Sequence, residues 1–344
     1  MKKIIALFFA LTFVIFNLTA CKSTEQKVYT NLFGTEIKIV VNDVKSGKKY
    51  KEFTSELTKT LENLNSISTL SGSELSKINN AQVGEKVKVL PETYFLLSKS
   101  QDLYHFTNQK FNPAIYPLSA LWNFTPDKFN GSTANYTLPQ NEDIVNALSH
   151  IDFDKLELSI DNGYYVTKRD DIKIDIGGIV KGYAGDLIFE LFSAYGYADA
   201  YASLGSSSIV TVGDFPVSIR NPLSTNVGDT YVKIQTNDKT AISTSGDYER
   251  YYYIDGKKYC HIIDPATGKP IETDVLSATV VGRNSTTCDA LSTALCAMSK
   301  DVATSFIRDK LSDYSVFIVY KDMTVLTNSN SYTLTNNSFT ICKI

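Results

Sequence analysis

Thr244-Ser245-Gly246-Asp247-Tyr248, Tyr259-Cys260-His261-Ile262-Ile263-Asp264-Pro265-Ala266-Thr267-Gly268 and Cys288-Asp289-Ala290-Leu291-Ser292-Thr293 fall within fifty positions of one another. Ile262-Ile263 is an apolar pair cut off by Asp264-Pro265, so a short strand ends there. His261 is thereby left near a strand end, beside a tight Pro-Ala-Thr-Gly turn. Asp289 and Thr293 lie four apart among good helix formers, which puts both oxygens on one helix face. A carboxylate and a hydroxyl so placed are hard ligands suited to Mg²⁺, an ion that keeps waters and takes its other ligands from a phosphate.

Strand-like and helix-like segments continue on both sides without strict alternation. Upstream, residues 198–204, 208–212, 215–220 and 231–235 read as strands, broken by Gly205-Ser206-Ser207 and Asn221-Pro222. Residues 171–176 read as a strand running into Gly177-Gly178-Ile179-Val180-Lys181-Gly182-Tyr183-Ala184 and then a helix ending at Tyr195-Gly196. A backbone of that kind can approach a phosphate at a helix N-terminus, with Lys181 adding a point charge. It lacks both the Gly-x-Gly-x-x-Gly and the Walker spacing, so by itself it reads as a plain strand–helix turn. Asp161-Asn162-Gly163 between 156–160 and 164–168 marks a hairpin. Helices are expected over 49–66, 92–107, 141–148 and 300–311, with a short one ending at Asn79-Asn80. Strands are expected over 31–43, 314–320 and 323–326. Two prolines in Lys110-Phe111-Asn112-Pro113-Ala114-Ile115-Tyr116-Pro117-Leu118 predict an irregular stretch there, either a packed loop or a ligand wall. The pattern is α+β, mixed strands and helices in one compact two-lobed unit, rather than a doubly wound sheet.

A net charge of −3 gives no electrostatic footprint for nucleic acid. The five cysteines form no Cys-x-x-Cys pair, which argues against a zinc site or a disulfide framework. At the N-terminus, Lys2-Lys3 precede an apolar run from Ile4 to Phe16 and then Leu18-Thr19-Ala20-Cys21. That is the layout of a secretory signal, too short for a comfortable membrane span, and it resembles the bacterial lipobox, in which the Cys is lipidated. The expected organisation is a lipoprotein signal peptide over 1–20, a lipid-anchored polar tether over 21–30 and a folded domain over 31–344. The expected location is the extracytoplasmic face of the cytoplasmic membrane, held through lipidated Cys21.

These segments together resemble the ApbE family of FAD:protein FMN transferases, in family order along nearly the whole mature chain. Phe33-Gly34-Thr35 resembles the family's Met-Gly-Thr, and Ser73-Glu74-Leu75-Ser76-Lys77-Ile78-Asn79 its Ser-Glu-Leu-Ser-x-x-Asn. Phe111-Asn112-Pro113, Pro117-Leu118 and Leu121-Trp122 are similar to its Phe-Asp-Pro, Gly-Pro-Leu and Leu-Trp run. Asp175 to Ala184 is close to Asp-x-Gly-Gly-Ile-Ala-Lys-Gly-Tyr-Ala. Thr244 to Tyr248, His261 to Gly268 and Asp289-Ala290-x-x-Thr293 are the most specific matches.

The resemblance implies a chemistry: FAD is bound, its pyrophosphate is cleaved with Mg²⁺, and FMN passes to a Thr or Ser hydroxyl of an acceptor protein. It implies metal ligation by Asp289, Thr293 and a backbone oxygen of Gly178, and catalytic roles for His261 and Asp289. It implies flavin-nucleotide contacts from Phe33, Asn79, Lys110, Phe111, Asn112, Asp175, Lys181, Gly246, Cys260 and His261. Departures from the family pattern fall at Phe33, Asn112, Tyr116, Gly205-Ser206 and Cys260, on flavin and wall positions, while the metal pair and His261 are intact. The acceptor implied is a flavoprotein of membrane or extracellular electron transfer. Two rival readings are an FAD pyrophosphatase that releases FMN and AMP, and a non-enzymatic FAD-binding lipoprotein. Asp264 is expected to form a turn through its own side chain, and neither it nor Asp247 is given a chemical role.

Overall fold

In the computed structural model, which describes residues 23–68, 72–126, 128–132, 136–205, 207–226 and 228–344, a nine-stranded sheet forms the centre. Its strands are β1 (Ser23–Leu32), β2 (Thr35–Val44), β3 (Ala200–Leu204), β4 (Ser208–Val212), β5 (Lys239–Gly246), β6 (Val275–Gly282), β7 (Ser315–Tyr320), β8 (Thr324–Thr327) and β9 (Thr340–Lys343). Each lies beside the one before it in this series, and all neighbours are antiparallel except β8 and β9. Helices and small sheets fill the excursions between strands. Between β2 and β3 come α1 (Gly47–Ser68), α2 (Glu74–Asn80), α3 (Pro91–Phe106), α4 (Tyr116–Leu121), α5 (Asn141–Leu148) and α6 (Val180–Ala194), with a three-stranded sheet of Lys86–Val89, Leu156–Ile160 and Tyr164–Lys168. Two small hairpins, Tyr251–Ile254 with Lys257–Cys260 and Ile263–Asp264 with Lys269–Pro270, lie between β5 and β6. Then α7 (Ser285–Cys296) and α8 (Lys300–Lys310) lead to β7.

Alternation along the strands gives the sheet two cores. In β7, Val316, Ile318 and Tyr320 join the large core under the helices, whereas Phe317 and Val319 join a smaller one on the opposite face. Val217, Ile219, Tyr231, Val232 and Ile234 close the smaller core; they come from Pro216–Arg220 and Thr230–Gln235, which pair with each other, the second also with Thr333–Leu334. The α+β expectation holds, and the two expected lobes are the two covered faces of one sheet.

Three local expectations change. The stretch expected as a tether is β1, which pairs along β2 and buries Tyr29, whose hydroxyl bonds the Thr58 hydroxyl at 2.9 Å. Its polar residues are those of an exposed edge strand, and they sit on a backbone ladder whose register shifts between Ser23 and Glu25 and between Tyr29 and Leu32. Residues 171–176 join no sheet. Asn79 takes the place of a neighbouring strand: its Oδ1 accepts from Ile174 N (2.7 Å) and its Nδ2 donates to Ile174 O (2.9 Å). The Pro-containing stretch is a 3₁₀ turn, Pro113–Ile115, followed by α4. Both prolines occupy first-turn positions, where a missing N–H costs nothing. The signal peptide, Cys21 and Lys22, and likewise Ser71 and Ser206, lie outside the described residues. Among the described residues, no helix is long and apolar enough to cross a membrane.

Candidate active site

The site is built where α6 meets α7. A Cβ on Gly182 would lie 2.4 Å from Ser285 O and 2.6 Å from Asp289 Cβ; one on Gly185 would lie 2.4 Å from Ser285 Oγ. Glycine at both positions lets the helices approach to backbone distance. Gly182→Ala is therefore expected to cost ~1–3 kcal/mol by overpacking. A urea midpoint equal to wild type would show that the helices have room to separate.

Asp289 is buried against this contact, at 4% exposure. Its Oδ2 accepts from Gly182 N (2.8 Å), one of the donors at the start of α6 that a helix cannot satisfy internally, and Ser208 Oγ stands 3.5 Å from Oδ1. Burial raises the carboxyl's pKa, and Lys181 and the Gly182 N–H pull it back. One turn on, Thr293 Oγ1 lies 3.1 Å from Ser245 Oγ, which is itself 2.7 Å from Ser292 Oγ. A Cβ on Gly178 would come within 3.4 Å of both Thr293 Oγ1 and the Phe111 ring. The glycine thus keeps a small space open between the 177–178 backbone and the hydroxyl of α7.

His261 follows the Tyr251–Ile254/Lys257–Cys260 hairpin, and Arg250 precedes it. Arg250 O accepts from His261 N (2.9 Å) and from His261 Nδ1 (3.3 Å), which fixes the proton on Nδ1 and leaves Nε2 as an acceptor. The imidazole stands edge-on to Phe124, whose ring packs on Tyr252, as does that of Tyr136. Burial foremost, with help from Arg250 and Lys181, lowers its pKa to about 3. Lys181 acts on both the Asp289 carboxyl and the His261 imidazole, so one ammonium spans the two expected catalytic groups.

The other expected contacts divide. Lys110 pairs with Asp264 at 2.8 Å, and Asp264 also accepts from Ala266 N as the turn reading requires. Asp175 accepts from Gly177 N (2.7 Å) and shapes the turn into Gly178. Asn79 is committed to Ile174, and Asn112 to Ala114 N and Ile151 O. Cys260 is a core residue at 3% exposure whose thiol burial pushes up to about 11. A Cβ on Gly246 would strike the Tyr248 ring at 2.4 Å. The side chains of Asn79, Asn112 and Cys260 are thus occupied or covered within the protein. Phe33 occupies the β1–β2 turn with φ 53°, its N–H bonded to Asn65 Oδ1. Sequence reading passed over Asp186, Ser208, Ser245 and Arg250. Only Ser245 carried a local signal, beside Gly246 at the end of β5.

The donor set fits Mg²⁺. It offers one carboxylate, one hydroxyl and a close backbone, all hard oxygens, around a space that a single Cβ would fill. A buried carboxylate with a raised pKa is also the kind of group a cation would relieve. A cleft of about 970 Å³ opens elsewhere, along residues 264–275, and Asp289, Thr293 and His261 do not line it.

The ApbE family's sequence model matches residues 33–318. A protein of Treponema pallidum, named FAD:protein FMN transferase, is 30% identical over 250 residues, covering 67% of this chain and 66% of that one. One of the same name from Chlamydia muridarum is 25% identical over 309 residues, covering 88% and 94%. The crystal structure of the ApbE protein from Thermotoga maritima superposes with a TM-score of 0.74 at 28% identity, covering 87% of this chain and 95% of that one. With 286 residues matched in order and the same architecture in a solved relative, the chain belongs to the ApbE family.

Proposed function

We infer that the protein is an FAD:protein FMN transferase. The observation that carries this reading is the meeting of Asp289, Thr293, Gly178 and Lys181 at the α6–α7 contact in an ApbE-family chain. A hydroxyl oxygen of the acceptor attacks the FMN phosphorus of FAD, the P–O bond to AMP breaks, and AMP leaves with the bonding pair. Such transfers depend on charge neutralisation and in-line positioning more than on covalent help. Asp289 and Thr293, with the Gly178 backbone, are the residues to hold Mg²⁺, which when bound neutralises charge on the pyrophosphate. Lys181 and the N-terminal end of the α6 dipole present positive charge to the same phosphates. His261 receives the acceptor's proton on Nε2. Phosphate charge beside it offsets Arg250 and Lys181 and lifts its basicity from the low value it has alone.

Incubation with FAD and Mg²⁺, with and without a candidate acceptor, tests the reading by chromatography of AMP and FMN. Transfer releases AMP without free FMN and only when acceptor is present. Equal free FMN and AMP without acceptor would make the protein an FAD pyrophosphatase, and no AMP at all a flavin-binding protein.

The location is a second proposal, resting on Leu18-Thr19-Ala20-Cys21. Lipidated Cys21 anchors the chain to the outer face of the cytoplasmic membrane, two residues before β1 begins. The catalytic domain then works close to the bilayer, on acceptors that are membrane or extracellular electron-transfer flavoproteins. Cys21→Ser is expected to leave the precursor unprocessed or release the protein to the medium. Fractionation and migration identical to wild type would rule the anchor out.

A further inference from the structure

Helices α6 and α7 cap each other, and only half of that exchange belongs to the site described above. Asp289 of α7 accepts the Gly182 N–H at the start of α6. In return Asp186 of α6 closes the start of α7. Its Oδ1 accepts from Ser285 N (2.8 Å), and its Oδ2 from Thr286 N (2.9 Å) and Thr286 Oγ1 (2.6 Å). Gly182 and Asp186 are four apart, so both contacts come from one face of α6. Gly185, on that side of the helix, lets Ser285 approach. A carboxylate with three donors has no need of a metal, and a negative charge at a helix N-terminus is favourable.

The reciprocity matters because the expected metal ligands come from both helices: Gly178 from the turn into α6, Asp289 and Thr293 from α7. Sliding one helix on the other by a fraction of a turn would move Thr293 Oγ1 away from the 177–178 backbone. The Gly182–Asp289 bond cannot hold the register alone, since Asp289 is itself to be a ligand. We propose that Asp186 is a positioning residue for the metal site, holding α7 in register against α6 so that Gly178, Asp289 and Thr293 face one point. This rests on the Mg²⁺ site of the transferase reading.

Asn284 supplies the control. It is the N-cap of α7, accepting from Thr287 N (2.8 Å) and Thr287 Oγ1 (2.6 Å), so these bonds stabilise the same helix end from within α7. The measurement is the affinity of the full chain for Mn²⁺ alone, followed by the loss of the free-ion paramagnetic resonance signal, beside the thermal midpoint without metal. Asp186→Ala is expected to weaken Mn²⁺ binding about tenfold, as lost outer-shell supports do. Asn284→Ala should lower the midpoint comparably and leave the affinity within about twofold, the effect being local to the cap. Should Asp186→Ala not fold, Asp186→Asn keeps one acceptor and is expected to weaken binding about threefold. Unchanged affinity in the Asp186 variant, or an equal loss in Asn284→Ala, overturns the assignment while leaving the metal site in place. Wild-type protein that binds no Mn²⁺ overturns both.

Discussion

Asp289→Asn is expected to lower Mg²⁺-dependent FMN transfer on the order of a thousandfold, because the exchange removes the only carboxylate in the expected ligand set. A bound divalent ion supplies several kcal/mol of charge stabilisation to phosphoryl transfer, and each 1.36 kcal/mol is a factor of about ten. The fold should survive. Burial raises the folded-state pKa of Asp289 above its ordinary 3.8, so the native protein holds this proton more tightly than the unfolded chain does. Its contribution to stability is full below 3.8 and is lost as pH rises through the raised value. At neutral pH the bare carboxylate is a liability, and metal-free Asp289→Asn should be as stable as wild type or more so. Mg²⁺ should raise the thermal midpoint of wild type and leave that of the variant unmoved, since a ligand stabilises only what it binds. An inactive variant that is unstable, or one still stabilised by Mg²⁺, would assign Asp289 to the fold and the metal to other groups.

His261→Ala separates binding from chemistry. FAD should bind with near wild-type affinity, while single-turnover transfer falls ~100- to ~10,000-fold, the range of a general acid–base contribution. A contact made only in the transition state lowers the rate constant and spares ground-state binding. With the folded pKa near 3 and an unfolded value of 6.5, the unfolded chain binds the extra proton between these limits. The neutral ring's contribution to stability is full above pH 6.5 and is lost as pH falls toward 3. His261→Ala should lack that part of the acid destabilisation. Loss of FAD affinity would make His261 a pocket residue, and unchanged turnover would pass the proton to another group.

Much of this architecture was legible in the residues. Period-3.6 patterning marks α1, α3 and α8, each of which buries one face, and strand-like runs mark β2, β3, β4, β7 and β8, whereas β5, β6 and β9 carry no expected bounds. The pair Asp289 and Thr293 was legible from spacing, since a helix places such residues on one face whatever surrounds it. Three further features escaped for physical reasons. Residues 172–176 carry strand-like alternation, yet their partner is the side-chain amide of Asn79, ninety-five positions away from Ile174. Pro113 and Pro117 are breakers inside a helix and starters at its first turn, and only the fold decides which. Asp186 resembles any surface carboxylate on α6 until α7 is laid against it, so no local pattern marks it.

Intact mass spectrometry of an acceptor protein after incubation with this chain and FAD tests the central claim most directly. With Mg²⁺ the acceptor should gain the mass of one FMN, esterified to a Thr or Ser hydroxyl, and the gain should vanish with chelator or when Asp289→Asn replaces wild type. An acceptor that gains the same FMN in the presence of chelator, or gains none while wild type turns FAD into free FMN and AMP, would contradict the account.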